Sequence, residues 1–173
     1  MKKLFALALV AALSLTVLSG CAGAGTSAAE GKTPEELTQL YADAITAHGG
    51  EMVEYNPVIS EAKEDDGSAM LLELMGLKAE DMKAFGISTS MMNVKAYGIA
   101  AVMPVEGKEE AVEDALENYV EQKQGEFEFY LPDQYQVALD AEVETLEDGT
   151  VLMVMTENGD QVFDAISGTI LGE

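Results

Sequence analysis

The sequence predicts an α+β domain with helices packed on one face of a largely antiparallel sheet. Two observations carry this expectation. Apolar residues recur at helical spacing in some segments and form charge-poor runs in others. The order is also helix, short strand, helices, strand pair, long helix, hairpin and helix, not the regular strand-helix alternation of a parallel sheet.

Each element has its own signal. Thr33-Pro34-Glu35-Glu36 supplies an N-cap hydroxyl, proline at the first helical position and Glu three residues after the cap, so a capping box opens the first helix. Leu37, Leu40, Tyr41, Ala44 and Ile45 continue its apolar stripe, and Gly49-Gly50 ends it. Residues 52–59 read as short and β-leaning, with Pro57 suggesting an edge or a strand end, and 61–67 as an acidic loop. Residues 69–75 and 79–85 read as two short helices divided by Gly76. Residues 87–93 and 94–105 are expected to pair as strands, because Lys95 is their only charge. Val112, Ala115, Leu116, Tyr119 and Val120 then mark one stripe of an acidic amphipathic helix running to about Gly125. Pro132 opens a short helix to Leu139. Residues 141–146 and 151–156 form a hairpin around Asp148-Gly149, favoured residues for a two-residue turn. Residues 160–166 close the fold as a short helix stopped by Gly168.

The 173 residues are 48% hydrophobic and 24% charged, the balance of a folded chain, and one domain is expected over residues 33–173. There are 32 acids against nine basic residues, all of them Lys, for a formal charge of −23. That charge repels a phosphate backbone, and without Arg there is no forked donor for phosphate or guanine, so nucleic acid is excluded as a partner.

The first 20 residues have the form of a signal peptide: Lys2-Lys3, then an apolar run from Leu4 to Leu18. The run is about 15 residues, short of the roughly 20 that span a bilayer. Leu18-Ser19-Gly20-Cys21 resembles a bacterial lipobox, in which the cysteine takes a diacylglyceryl thioether and becomes the first residue of the mature chain. Acyl chains such as palmitate contribute about 0.8 kcal/mol per buried methylene, enough in pairs to hold a soluble domain on a membrane. Cleavage would leave seven Lys against 32 acids, a charge of −25, so the lipid must do the holding. Residues 22–32, small and polar, read with Cys21 as the anchor and its flexible tether.

Met91-Met92-Asn93-Val94 ahead of a strand, an acidic helix, Phe127-Glu128-Phe129-Tyr130-Leu131-Pro132-Asp133-Gln134-Tyr135, and a hairpin ending Val151-Leu152-Met153-Val154-Met155 resemble a known family. It is that of the lipoproteins of Gram-positive anaerobes carrying domain of unknown function 4358 (DUF4358). The resemblance covers roughly residues 33–166 and is most specific at 130–135. This chain departs from it at 167–173, where it adds a small-residue tail. The resemblance implies a lipoprotein and brings no activity and no catalytic residues.

Catalytic material is sparse. His48 is the sole histidine, so any Ser-His-acid or Cys-His arrangement must include it, and a lipidated Cys21 is not a free nucleophile. At the end of the first helix His48 reads instead as a capping or packing residue. Ser60-Glu61-Ala62-Lys63 matches a Ser-x-x-Lys spacing without its companion motifs. With Gly67 as position six of a calcium loop, Glu64, Asp66 and Glu73 take positions three, five and twelve, but position one is Ala62. The ten Met, with Met91, Met92, Met103, Met153 and Met155 among them, could form a soft-metal or adaptable binding surface, but most read as core. Phe127, Phe129, Tyr130 and Tyr135 form the densest aromatic cluster, read either as a corner packed on the sheet or as an interaction surface.

The expectation is therefore a membrane-anchored extracytoplasmic lipoprotein. Its acidic domain is a binding module of the cell envelope with a protein partner, needs no cofactor and is not an enzyme. The alternatives are a carboxylate-dependent hydrolase and a divalent-cation (calcium) binder.

Overall fold

The structure is a computed structural model and describes residues 29, 31–62 and 67–173. The expected signal peptide, Cys21, Lys63, Glu64 and Asp66 lie outside the described residues.

Helix α1 (Pro34–His48) opens with the expected capping box: Thr33 Oγ1 accepts the Glu36 N–H and Glu36 accepts the Thr33 N–H at 2.9 Å. Then follow α2 (Met52–Tyr55), α3 (Ser68–Leu74), β1 (Met82–Thr89), β2 (Gly98–Pro104), α4 (Glu109–Phe127), α5 (Pro132–Leu139), β3 (Glu142–Thr145), β4 (Val151–Met155) and α6 (Gly159–Leu171). The four strands form one antiparallel sheet in the order β1-β2-β4-β3. The α+β class and the antiparallel sheet are as expected.

The helices, however, cover both faces of the sheet, not one. Ala84, Ile99, Ala101, Leu152 and Val154 pack with Leu37, Tyr41 and Ile45 of α1 and Phe163, Ile166 and Ile170 of α6. Phe85, Ile87, Ala100, Val102, Val151 and Met153 pack on the other side with α3, α5 and Val112, Leu116, Tyr119 and Phe127 of α4. The composition of the central strands explains this. β4 is apolar and buried at every position, which is the signature of a strand covered on both sides.

Four local expectations are corrected. Residues 52–59 are a helical turn, α2, after which Ile59 exchanges two backbone hydrogen bonds with Ile87 and covers part of the β1 edge. Residues 79–85 are not a helix: a 3-10 turn at Ala79–Asp81 leads straight into β1. There Ala84 and Gly86 face α1 while Phe85 and Ile87 face α4. A Cβ on Gly86 would lie 3.0 Å from the Tyr41 Cβ and 3.2 Å from the α1 backbone, so the small residues set how closely helix and strand approach. The β3–β4 hairpin has a three-residue loop, closed by Leu146 and Thr150, with Gly149 at φ 88°. Lastly, α6 runs through Gly168 to a left-handed Gly172, because the Phe163, Ile166 and Ile170 stripe continues past it, so residues 167–171 are helix and not tail.

Among the described residues no helix is long and apolar enough to cross a membrane.

Candidate functional site: an apolar loop end beside a polar cleft

The β1–β2 connection, residues 90–97, is the centre of the site. Residues 82–105 contain no acid in a chain with 32. The expected strands 87–93 and 94–105 are shorter at their facing ends, since Ser90 N–H bonds Tyr97 O and the chain between them leaves the sheet. Met91, Met92 and Val94 are 56%, 59% and 59% exposed there, a cost in apolar surface that a free loop has no reason to carry.

Hydroxyl bonds fix the base of this loop. Ser88 Oγ donates to the Asn56 carbonyl at 2.6 Å, so the Tyr97 hydroxyl, 2.9 Å away, must donate to Ser88. Thr89 Oγ1 donates to Tyr97 O at 2.8 Å, so Tyr119 of α4 donates to Thr89 at 2.9 Å. Burial pushes the Tyr97 and Tyr119 phenols above their ordinary value, so both stay neutral donors. Gln134 of α5 completes the support: its Oε1 accepts the N–H of buried Ala96 at 2.9 Å.

Beside the loop lies a cleft of about 350 Å³. Its walls are the α1–α2 turn with Glu51, Met52 and Tyr55, the loop residues Lys95 to Tyr97, Gln134, and the β4–α6 turn with Glu157 and Asn158. Lys95 Nζ meets Glu157 Oε1 across it at 3.1 Å, both side chains well exposed, so this pair contributes little energy. Tyr55 is 76% exposed at the rim.

The aromatic segment 127–135 divides between two roles. Phe127 is fully buried in the α4 core, which corrects its expected place on an interaction surface, and Tyr135 packs partly buried against the same core. Phe129 and Tyr130 are 84% and 74% exposed. Phe127 ends α4 with its apolar stripe still facing the sheet, whereas the next residues turn the corner into α5. That corner is at the loop end of the sheet, because Gln134 follows it by one helical turn.

Elsewhere, Glu73 is exposed on α3, and no three His, Cys, Asp or Glu side chains among the described residues are placed to hold a metal. His48 Nε2 lies 3.2 Å from Thr169 Oγ1 and links the ends of α1 and α6. Glu142 on β3 is a half-buried carboxyl raised above its ordinary range by burial, with Asp160, Glu144 and Asp164 around it. Met153 and Met155 are core, as expected of most Met, whereas Met91 and Met92 are exposed. Met91, Met92, Val94, Tyr55 and Gln134 are absent from the sequence-derived site residues, although Met91 and Met92 are among the Met weighed there as an adaptable binding surface. The acid-free run around Met91-Met92-Asn93-Val94 was the signal available for the first three.

The family described as "Domain of unknown function (DUF4358)" matches residues 58–156. This is more than half of the chain, and the chain belongs to that family. The match holds β1 to β4, the loop and the α4–α5 corner, while α1, α2 and α6 flank it. No curated protein and no solved structure matches the chain.

Proposed function

We propose that this chain is a lipid-anchored extracytoplasmic lipoprotein whose domain is a binding module, docking a protein of the cell envelope through its loop end. One observation carries the docking reading. Five large apolar side chains, Met91, Met92, Val94, Phe129 and Tyr130, are each more than half exposed on two segments joined by the Ala96–Gln134 hydrogen bond. The rest of the surface is rich in acid. An apolar group with a polar rim is the anatomy of a protein interface, and Met side chains adapt readily to a partner's shape.

The anchor reading rests on Cys21 in Leu18-Ser19-Gly20-Cys21 behind an apolar run. Two variants test the proposal. Cys21→Ser should leave the membrane fraction, and its retention there would defeat the anchor. Met92→Ser with Tyr130→Ser should keep the fold and lose whatever protein co-purifies with the wild type after brief crosslinking in its own membranes. Unchanged co-purification would defeat the docking surface.

A further inference from the structure

We infer that the partner seated on the loop end is a basic protein segment, held by apolar anchors at its centre and by cationic side chains at its edge. The inference rests on the docking reading above and specifies its chemistry. Its basis is the distribution of charge around the patch. The centre carries no acid from Met82 to Val105. Around it stand Glu51 and Glu157 on the cleft wall, Glu54 on α2, Glu128 beside Phe129 and Asp133 in the first turn of α5, all exposed. Lys95 is the single cation in the cleft lining, and it occupies Glu157 only through a surface contact that an incoming Lys or Arg can exchange.

The charge of −25 on the cleaved chain acts at longer range to the same end. It raises the encounter rate of a basic partner and opposes an acidic one or an anionic bilayer. Geometry also argues against the bilayer as occupant. α1 spans about 22 Å from Pro34 to the cleft wall at Gly49, so the chain enters the described domain at the end away from the loop.

The test replaces Met92 of the full lipidated chain with the photocrosslinking residue benzoylphenylalanine and irradiates native membranes at low and at high ionic strength. The expected result is one protein adduct, several-fold weaker at high salt and in Glu51→Gln/Glu157→Gln, with its crosslinked peptide rich in Lys or Arg. A protein adduct indifferent to salt and to these substitutions would overturn the basic partner while leaving the docking surface intact. An adduct to lipid, or none at Met92 when the same residue at Glu113 on α4 captures a protein, would overturn both. Absence of any adduct at either position would also overturn both.

Discussion

The Gln134 side-chain oxygen accepts the backbone N–H of Ala96 at 2.9 Å, 38 residues away in sequence, and so ties α5 to the loop that carries Met91 and Met92. It gives the Tyr-Leu-Pro-Asp-Gln-Tyr segment a physical meaning. Pro132 starts α5, Leu131 and Tyr135 pack against the core, and Gln134 holds the loop. Gln134→Leu leaves a buried N–H without an acceptor, at a cost of about 1–3 kcal/mol. Gln134→Glu keeps an acceptor and should restore most of that. Urea unfolding gives the cost, and amide exchange of residues 90–97 should quicken in the Leu variant alone.

Ser88 serves two partners at once, donating to Asn56 O and accepting from Tyr97. Ser88→Ala therefore leaves the buried Tyr97 hydroxyl and the partly buried Asn56 carbonyl unpaired and should cost about 1–3 kcal/mol, with Tyr97→Phe at the lower end because it strands only the Ser88 acceptor. Because Asn56 follows α2 directly, Ser88→Ala should also loosen Tyr55 and the cleft wall. Thermal melts and exchange at residues 52–56 measure the two effects.

Lys123 is buried on α4 with its Nζ 2.8 Å from Glu126 and 5.6 Å from the Tyr119 ring centroid. Burial pushes the Glu126 carboxyl up, but hydrogen bonds from Lys123 and Gln122 outweigh it and hold the value below the ordinary range. Glu126→Ala leaves a buried cation uncompensated and should cost about 1–3 kcal/mol, whereas Lys123→Met, which removes the charge and keeps the bulk, should cost less. The reverse order in denaturant midpoints would contradict this reading of the pair.

Glu142 carries the opposite sign. Its folded value is raised, by burial first and then by Asp160, Glu144 and Asp164, so the native state binds its proton more tightly than the unfolded chain does. Protonated, below the ordinary value of 4.5, it carries no penalty, and stability is lost as pH rises through the raised value and the carboxyl ionises among these neighbours. Glu142→Gln should therefore stabilise the protein at pH 7, by under about 1 kcal/mol given its exposure, and should have no effect near pH 4. Melts of both proteins across that range check the sign.

The helices were legible where sequence carries its own boundary chemistry. Thr33, Pro34 and Glu36 mark the start of α1, Pro132 the start of α5, and the acidic stripe pattern the length of α4. What failed depended on tertiary context. The segment 79–85 has helix-forming residues, but its Ala84 and Gly86 are small because α1 lies against them, which no local pattern states. Coverage of both sheet faces is written in the unbroken apolar run of β4, a signal that the expectation of helices on one face does not use. Of the site, the aromatic segment was visible, while its division into buried Phe127 and exposed Phe129 and Tyr130 follows from where α4 ends. Tyr55 and Glu51 reach the cleft only because Gly49 and Gly50 turn the chain beside the loop.

Hydroxyl-radical footprinting of methionine, in intact cells and on the purified protein, tests the docking claim most directly, because Met70, Met91 and Met92 are 59%, 56% and 59% exposed. The three should oxidise at comparable rates in the purified protein. In cells, Met91 and Met92 should be protected relative to Met70 on α3; equal oxidation of all three there would mean that the loop end is bare in the envelope and would contradict the account.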